Sequence, residues 1–193
     1  MNELFKNKYR IKSIRLKDWD YSSNGAYYVT ICTKNRMRFL GDIVNGKTIL
    51  SPIGEIVQKY WREIPKYFQN VVLDEFVIMP DHVHGIIIIQ NDRDHVNQCR
   101  DAINRVSTKM KTNNGKHQSG GITKNHNPML SISLSTILRW FKGRSTCEIH
   151  KMQNQIYFQW QPRFYEHIIR HERELNTKRK YIINNPLKWQ CDL

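Results

Sequence analysis

The 193-residue chain carries 31 Lys and Arg against 17 Asp and Glu, a net charge of +14 at pH 7, with 39% hydrophobic and 11% aromatic residues. That apolar content supports a packed core and excludes a disordered basic tail, while the positive excess points to a polyanionic partner, nucleic acid first. No apolar run approaches the roughly 18 residues of a membrane span. Residues 1–16 lack the apolar stretch of a secretory signal, and Cys32, Cys99, Cys147 and Cys191 are too scattered for a zinc ribbon or a disulfide framework. The expectation is one soluble, cytoplasmic domain spanning 1–193, with free thiols.

In chain order, residues 27–33 are aromatic and β-branched and suit a strand after the turn at 22–25. Ser51-Pro52 opens a helix, Ser as N-cap and Pro at the first helical position. Ile53, Ile56, Val57, Tyr60, Trp61 and Ile64 form its apolar stripe, and Pro65 is expected to stop it. Val71–Met79 and 82–90 read as a strand pair about the Pro80-Asp81 turn. A basic loop at 94–130 follows. Its part 108–127 is rich in Asn, Gly, Lys and Thr, with Gly120-Gly121, and shows neither helical nor strand periodicity. Residues 102–147 hold 8 basic side chains and no acidic ones, more than half of the excess. The loop reads either as a solvated insertion or as an arm that touches phosphate. If the arm touches phosphate, deleting 115–125 weakens DNA binding and flattens its salt dependence.

Leu134, Ile137, Leu138 and Phe141 mark a second amphipathic helix, whose other face carries Arg139 and Lys142. Residues 164–169 read as a fourth strand. Residues 172–184 read as a third helix, ended by Asn185-Pro186. The first seven pieces match the ferredoxin-like β-α-β-β-α-β unit. The fold class is therefore α+β, one antiparallel sheet with helices packed on one face, plus an additional C-terminal helix. Such a fold hosts many functions and names none.

His82-Val83-His84 carries the sharpest chemistry. Alternate residues of a strand share a face, so both imidazoles point one way and Val83 the other. They suit either a metal chelate or an ordinary pair of surface histidines. Tyr181 and Asn185 stand four apart on a helix and share a face. They suit either a nucleophile with an amide-oxygen ligand or a core tyrosine with a capping Asn. Taken together, two His and one Asn oxygen leave a divalent ion with open positions. That set suits Mg²⁺ or Mn²⁺ on a phosphodiester, with zinc the physical competitor.

The sequence resembles the single-tyrosine HUH transposases of insertion sequences, closest to the REP-associated tyrosine transposases. His82-Val83-His84 lies in Val77-Ile78-Met79-Pro80-Asp81-His82-Val83-His84-Gly85 and matches the family's His-hydrophobe-His. Residues 25–36, 160–170 and 181–186 resemble further family blocks in the same order, so the resemblance covers about residues 12–190. It implies a transposase, a single-strand DNA endonuclease acting near hairpins. By that resemblance Tyr181 is the nucleophile, linked to the DNA 5′ end as a 3′-OH is released, and His82, His84 and Asn185 hold the metal. The partner would be single-stranded or hairpin DNA, and the assembly a monomer or homodimer. Two departures stand out: the insertion at 108–130 is long, and 176–180 is basic where an apolar residue is expected near 178.

Phosphate contacts are expected from Arg139, Lys142, Arg163, Arg170, Lys178, Arg179 and Lys180. Tyr165 is the rival nucleophile, otherwise a packing or base-stacking side chain. Trp61 is expected to pack in the core, while Trp140, Trp160 and Trp189 fit either packing or stacking. Two other functions stay open: a domesticated DNA-binding relative without transposition, and an RNA-binding module. The strand at 82–90 lacks the aromatic pair that such a module uses.

Overall fold

The computed structural model describes residues 19–90, 132–152 and 157–189. The basic loop expected at 94–130, and with it Cys99, lies outside the described residues, as does Cys191. Among the described residues six strands and three α-helices follow one another: β1 (Gly25–Cys32), β2 (Gly41–Val44), β3 (Lys47–Leu50), α1 (Pro52–Tyr67), β4 (Val71–Met79), β5 (His82–Ile89), α2 (Leu134–His150), β6 (Tyr165–Ile169) and α3 (Glu172–Trp189). Four strands form one sheet in the order β4-β5-β1-β6. Every neighbouring pair in it is antiparallel. This is the strand order of the ferredoxin-like unit expected from the sequence.

Strand alternation splits the sheet residues between two cores. Tyr27, Val29, Ile31, Val83, Ile87 and Ile89 face α1 and α2, where Trp61, Ile64, Ile137 and Phe141 complete the main core. Ala26, Tyr28, Ile86 and Ile88 face the opposite way and pack against Leu175 and Ile182 of α3. The third helix thus covers the face that the other two leave bare, so β5 is buried along its whole length. A strand covered on both faces reads as a continuous apolar run, and Ile86-Ile87-Ile88-Ile89 is that run.

Gly85 explains how close the main core packs. A Cβ at this position would stand 2.3 Å from Cζ2 of the fully buried Trp61. Gly85→Ala is therefore expected to lower stability by about 1–3 kcal/mol, the usual cost of overpacking. A thermal melt of the variant checks this, and an unchanged midpoint would mean that the indole can move aside.

One element is added to the expected set and two expected helix ends are corrected. Residues 41–50 form a two-stranded hairpin that hydrophobic alternation alone does not announce. Its signal is Asn45-Gly46, both at positive φ (51° and 69°), the conformation of a two-residue hairpin turn. Pro65 does not stop α1, which runs to Tyr67. Proline removes one backbone donor, and Phe68 N–H to the Ile64 carbonyl (3.0 Å) still closes the last turn. Nor do Asn185-Pro186 end α3, which continues to Trp189. Its final turn is held from outside: Leu187 lies under the hairpin tip, where a Cβ on Gly46 would approach its Cδ2 to 2.3 Å. Ser51 caps α1 as expected, accepting from Gly54 N–H at 3.1 Å. Cys32 and Cys147 are free thiols. Among the described residues no helix is long and apolar enough to cross a membrane.

Candidate active site

The face of β5 that meets α3 begins with His82 and His84. In register beside them, β1 places Cys32 opposite His82 and Thr30 opposite His84. Their two Nε2 atoms converge to 2.9 Å. Two metal–ligand bonds of about 2.1 Å at right angles would separate their donors by roughly 3.0 Å, so the spacing suits one divalent cation. The outer nitrogens fix how the rings present themselves. His82 Nδ1 bonds the Asp81 carboxylate, which can only accept, so Nδ1 carries a proton and Nε2 is the nitrogen left to face a cation. His84 Nδ1 lies 2.7 Å from the Tyr28 hydroxyl and 2.8 Å from that of Thr30. Hydroxyls both donate and accept, so His84 can also turn a lone pair on Nε2 toward the cation.

Electrostatics favour that role. Burial, then the neighbouring His82 and Arg36 charges, hold the His84 pKa down at about 3, so the ring is neutral at physiological pH, the form that a metal ligand requires. Burial alone would raise the Asp81 carboxyl. The hydrogen bond and charge of His82, with the Arg36 charge, outweigh it and hold the group below the ordinary carboxylate range. Burial pushes the Tyr28 phenol well above its ordinary value.

Helix α3 delivers the remaining groups. Tyr181 and Asn185 share one helical face and line, with His82, His84, Arg36 and Lys188, a cavity of about 320 Å³. The Tyr181 side chain is 40% exposed and its ring centroid stands 5.4 Å from that of His84. Asn185 is buried. All four residues singled out from the sequence thus meet at one place. Among the described residues no cluster of three or more His, Cys, Asp and Glu could hold a metal; the set here has two imidazoles and an amide oxygen.

Sequence reasoning passed over Asp81, read only as a turn, and gave no role to Thr30 or Arg36. Their link to His82-Val83-His84 is adjacency in sequence for Asp81, the β1–β5 register for Thr30 and the turn after β1 for Arg36. Tyr165, 48% exposed, lies on the sheet edge with its ring 6.3 Å from Tyr28. Trp61 packs in the core as expected. The undecided tryptophans separate: Trp140 packs against Tyr60, Tyr67 and Phe68. Trp160 packs in the core and donates to Ser145 Oγ at 3.1 Å. Trp189 lines the cavity, its ring 5.8 Å from that of His82.

The basic residues expected to touch phosphate divide too. Lys178 stands beside the site with its ammonium 4.7 Å from the centre of the Tyr28 ring, which accounts for a basic residue where an apolar one was expected. Arg179 is engaged instead with Asp74 of β4 through Nε–Oδ1 (2.8 Å) and Nη2–Oδ2 (2.5 Å). Lys142 is also tied down, donating to the carbonyls of Gln161 (2.7 Å) and Arg163 (3.2 Å). Burial lowers its pKa to about 8. Arg139 lines a separate groove of about 740 Å³ between α2 and residues 159–164. Arg163, Arg170 and Lys180 are exposed.

The Asp74–Arg179 pair pins α3 to the sheet. Burial alone would raise the Asp74 carboxyl, but the Arg179 hydrogen bonds and charge and the Glu75 N–H bring it below its ordinary value. A depressed folded pKa stabilises above the unfolded value of about 3.9 and loses that contribution as pH falls through the folded one. Asp74→Asn should therefore melt below wild type at pH 7, with the gap closing below about pH 3.9. A constant gap across that range would assign the loss to packing alone.

No protein-family profile matches the chain. An uncharacterized protein of Haemophilus influenzae is 37% identical over 182 residues, covering 94% of this chain and 91% of that one. A REP-associated tyrosine transposase, solved bound to a REP hairpin, superposes with a TM-score of 0.52 at 18% identity, covering 91% of this chain and 74% of that one. The chain belongs to one family with the Haemophilus protein and shares the fold of the REP-associated tyrosine transposase.

Proposed function

We propose that this chain is a DNA transposase that cuts and rejoins single strands beside hairpins through a tyrosine. One observation carries the reading: an accessible Tyr181 stands against a convergent imidazole pair whose geometry suits a divalent cation. The fold-sharing transposase bound to a REP hairpin and the net charge of +14 support DNA as the partner.

His82, His84 and Asn185 would hold Mg²⁺ or Mn²⁺. Bound there, the cation would supply Lewis-acid polarisation of the phosphate and offset charge on the leaving oxygen. The rest falls to the protein's own groups. Asp81 holds His82 in one tautomer. Thr30 and Tyr28 orient His84. The Tyr181 oxygen forms a bond to phosphorus as the bond to the 3′ oxygen breaks. The phenol gives up its proton and the 3′ oxygen takes one up, leaving a 5′-phosphotyrosine link and a free 3′-OH. Attack by a 3′-OH on that link reverses the bookkeeping and completes strand transfer.

The test is a covalent-adduct assay with purified protein and 3′-labelled single strands that carry the hairpins flanking its gene. A label at the 3′ end follows the fragment that stays on the tyrosine. The expected result is a shifted band on a denaturing gel with Mg²⁺ or Mn²⁺ and none with EDTA. Tight strand binding without an adduct would favour a DNA-binding relative that no longer moves DNA.

A further inference from the structure

Residues 33–37 turn sharply at the mouth of the cavity. Asn35 and Arg36 both sit at left-handed φ (56° and 55°), where side chains with a Cβ are disfavoured. None of Lys34, Asn35 and Arg36 at its apex is buried, so the core gains nothing from the strain. The surroundings nonetheless enforce it. Thr33 N–H donates to the Asp81 carbonyl at 2.9 Å, and Leu40 N–H to the Pro80 carbonyl at 3.0 Å. The buried Thr33 hydroxyl donates to the Met37 carbonyl at 2.7 Å and lies 3.0 Å from that of Asp81. The turn is thereby stitched to the one that carries Asp81 and His82. Strain held by its surroundings at a functional cleft is a reason to look for a role.

Its product is the position of one guanidinium. Arg36 Nη1 lies 3.5 Å from Asp81 Oδ2 and 3.4 Å from His82 Nδ1, and the side chain is 55% exposed. Asp81 thus anchors one edge of the fork, while the group still lines the cavity with His82, His84 and Tyr181. A guanidinium has five donors in a planar fork that matches the oxygens of a phosphate. Lys188 also lines the cavity, but as a flexible point charge with no such anchor.

We infer that Arg36 grips a non-bridging oxygen of the phosphodiester that Tyr181 attacks, and that Asp81 positions both this guanidinium and His82. This rests on the proposed tyrosine chemistry. As the Tyr181 oxygen bonds to phosphorus and the 3′ oxygen departs, negative charge builds on the non-bridging oxygens. A donor already aimed there stabilises that charge without reorganising.

The experiment measures single-turnover adduct formation by wild type, Arg36→Gln and Arg36→Gly. Substrates carry either a normal scissile phosphate or each methylphosphonate diastereomer, in which a methyl replaces one non-bridging oxygen. On the normal phosphate both variants should slow by about 100-fold, with strand affinity within about threefold of wild type. The loss should shrink below about threefold on one diastereomer, because the oxygen that Arg36 holds is then missing. Arg36→Gly should melt at or above the wild-type temperature, since glycine accepts the left-handed φ. An equal loss on all three substrates, a loss under about threefold, or a clearly lower melting temperature for Arg36→Gly would each overturn the role. A wild type that forms no Tyr181 adduct would instead overturn the tyrosine chemistry, and this inference with it.

Discussion

Tyr181→Phe is expected to abolish the covalent adduct, by more than about 10⁴-fold, while the fold and the affinity for single strands stay within a few-fold of wild type. Phenylalanine keeps the ring that meets His84 and Tyr28 edge-on and removes only the oxygen. The other tyrosines give the experiment its sharpness. Tyr27 faces the main core, and burial raises its phenol to about 12. Tyr28 has its hydroxyl on His84 Nδ1 and a phenol held neutral by burial. Tyr165 is the remaining rival, exposed at the sheet edge. An adduct that survives Tyr181→Phe and disappears with Tyr165→Phe would move the nucleophile from α3 to β6. The comparison is a denaturing gel with matched strands and metal.

Much of this geometry is local and therefore visible in sequence. The period-two alternation of β5 puts His82 and His84 on one face, and the helical period puts Asn185 beside Tyr181; neither needs the tertiary fold. The strand order follows from the sequence of pieces. What is hidden depends on contacts between segments distant in sequence. That α3 covers the second face of the sheet is decided by Leu175 and Ile182 meeting Ile86 and Ile88. The helical stripe alone does not say which face it will meet. Asp81 looks like a turn residue until its carboxylate is seen on His82 Nδ1. Arg36 looks like surface charge until the 33–37 turn is seen stitched to the 80–81 turn. Arg179 errs the other way: a run of three cations suggests phosphate, yet the middle one is paired with Asp74, 105 residues away. The Asn45-Gly46 hairpin is different again, a local signal that was legible and passed over.

The second large effect concerns the imidazole pair. His82→Ala should eliminate adduct formation while single-strand binding stays within about threefold, because the proposed function assigns metal ligation and strand capture to different side chains. Titration with Mn²⁺ should show no saturable site in the variant. The tautomer argument ranks a second substitution below it. Asp81→Asn leaves both imidazoles in place but lets the amide present either an oxygen or an NH₂ to His82 Nδ1. In the latter state His82 has its proton on Nε2 and cannot ligate. A loss of about 10–100-fold in Mn²⁺ affinity is the expected size for such an outer partner. Equal losses in the two variants would show that removing the carboxylate disrupts the site as thoroughly as removing a ligand. Wild-type adduct formation in His82→Ala would break the metal assignment outright, since the convergence of two Nε2 atoms at 2.9 Å would then serve only the sheet. The order expected from the geometry is wild type, then Asp81→Asn, then His82→Ala. That order separates a ligand from the group that orients it.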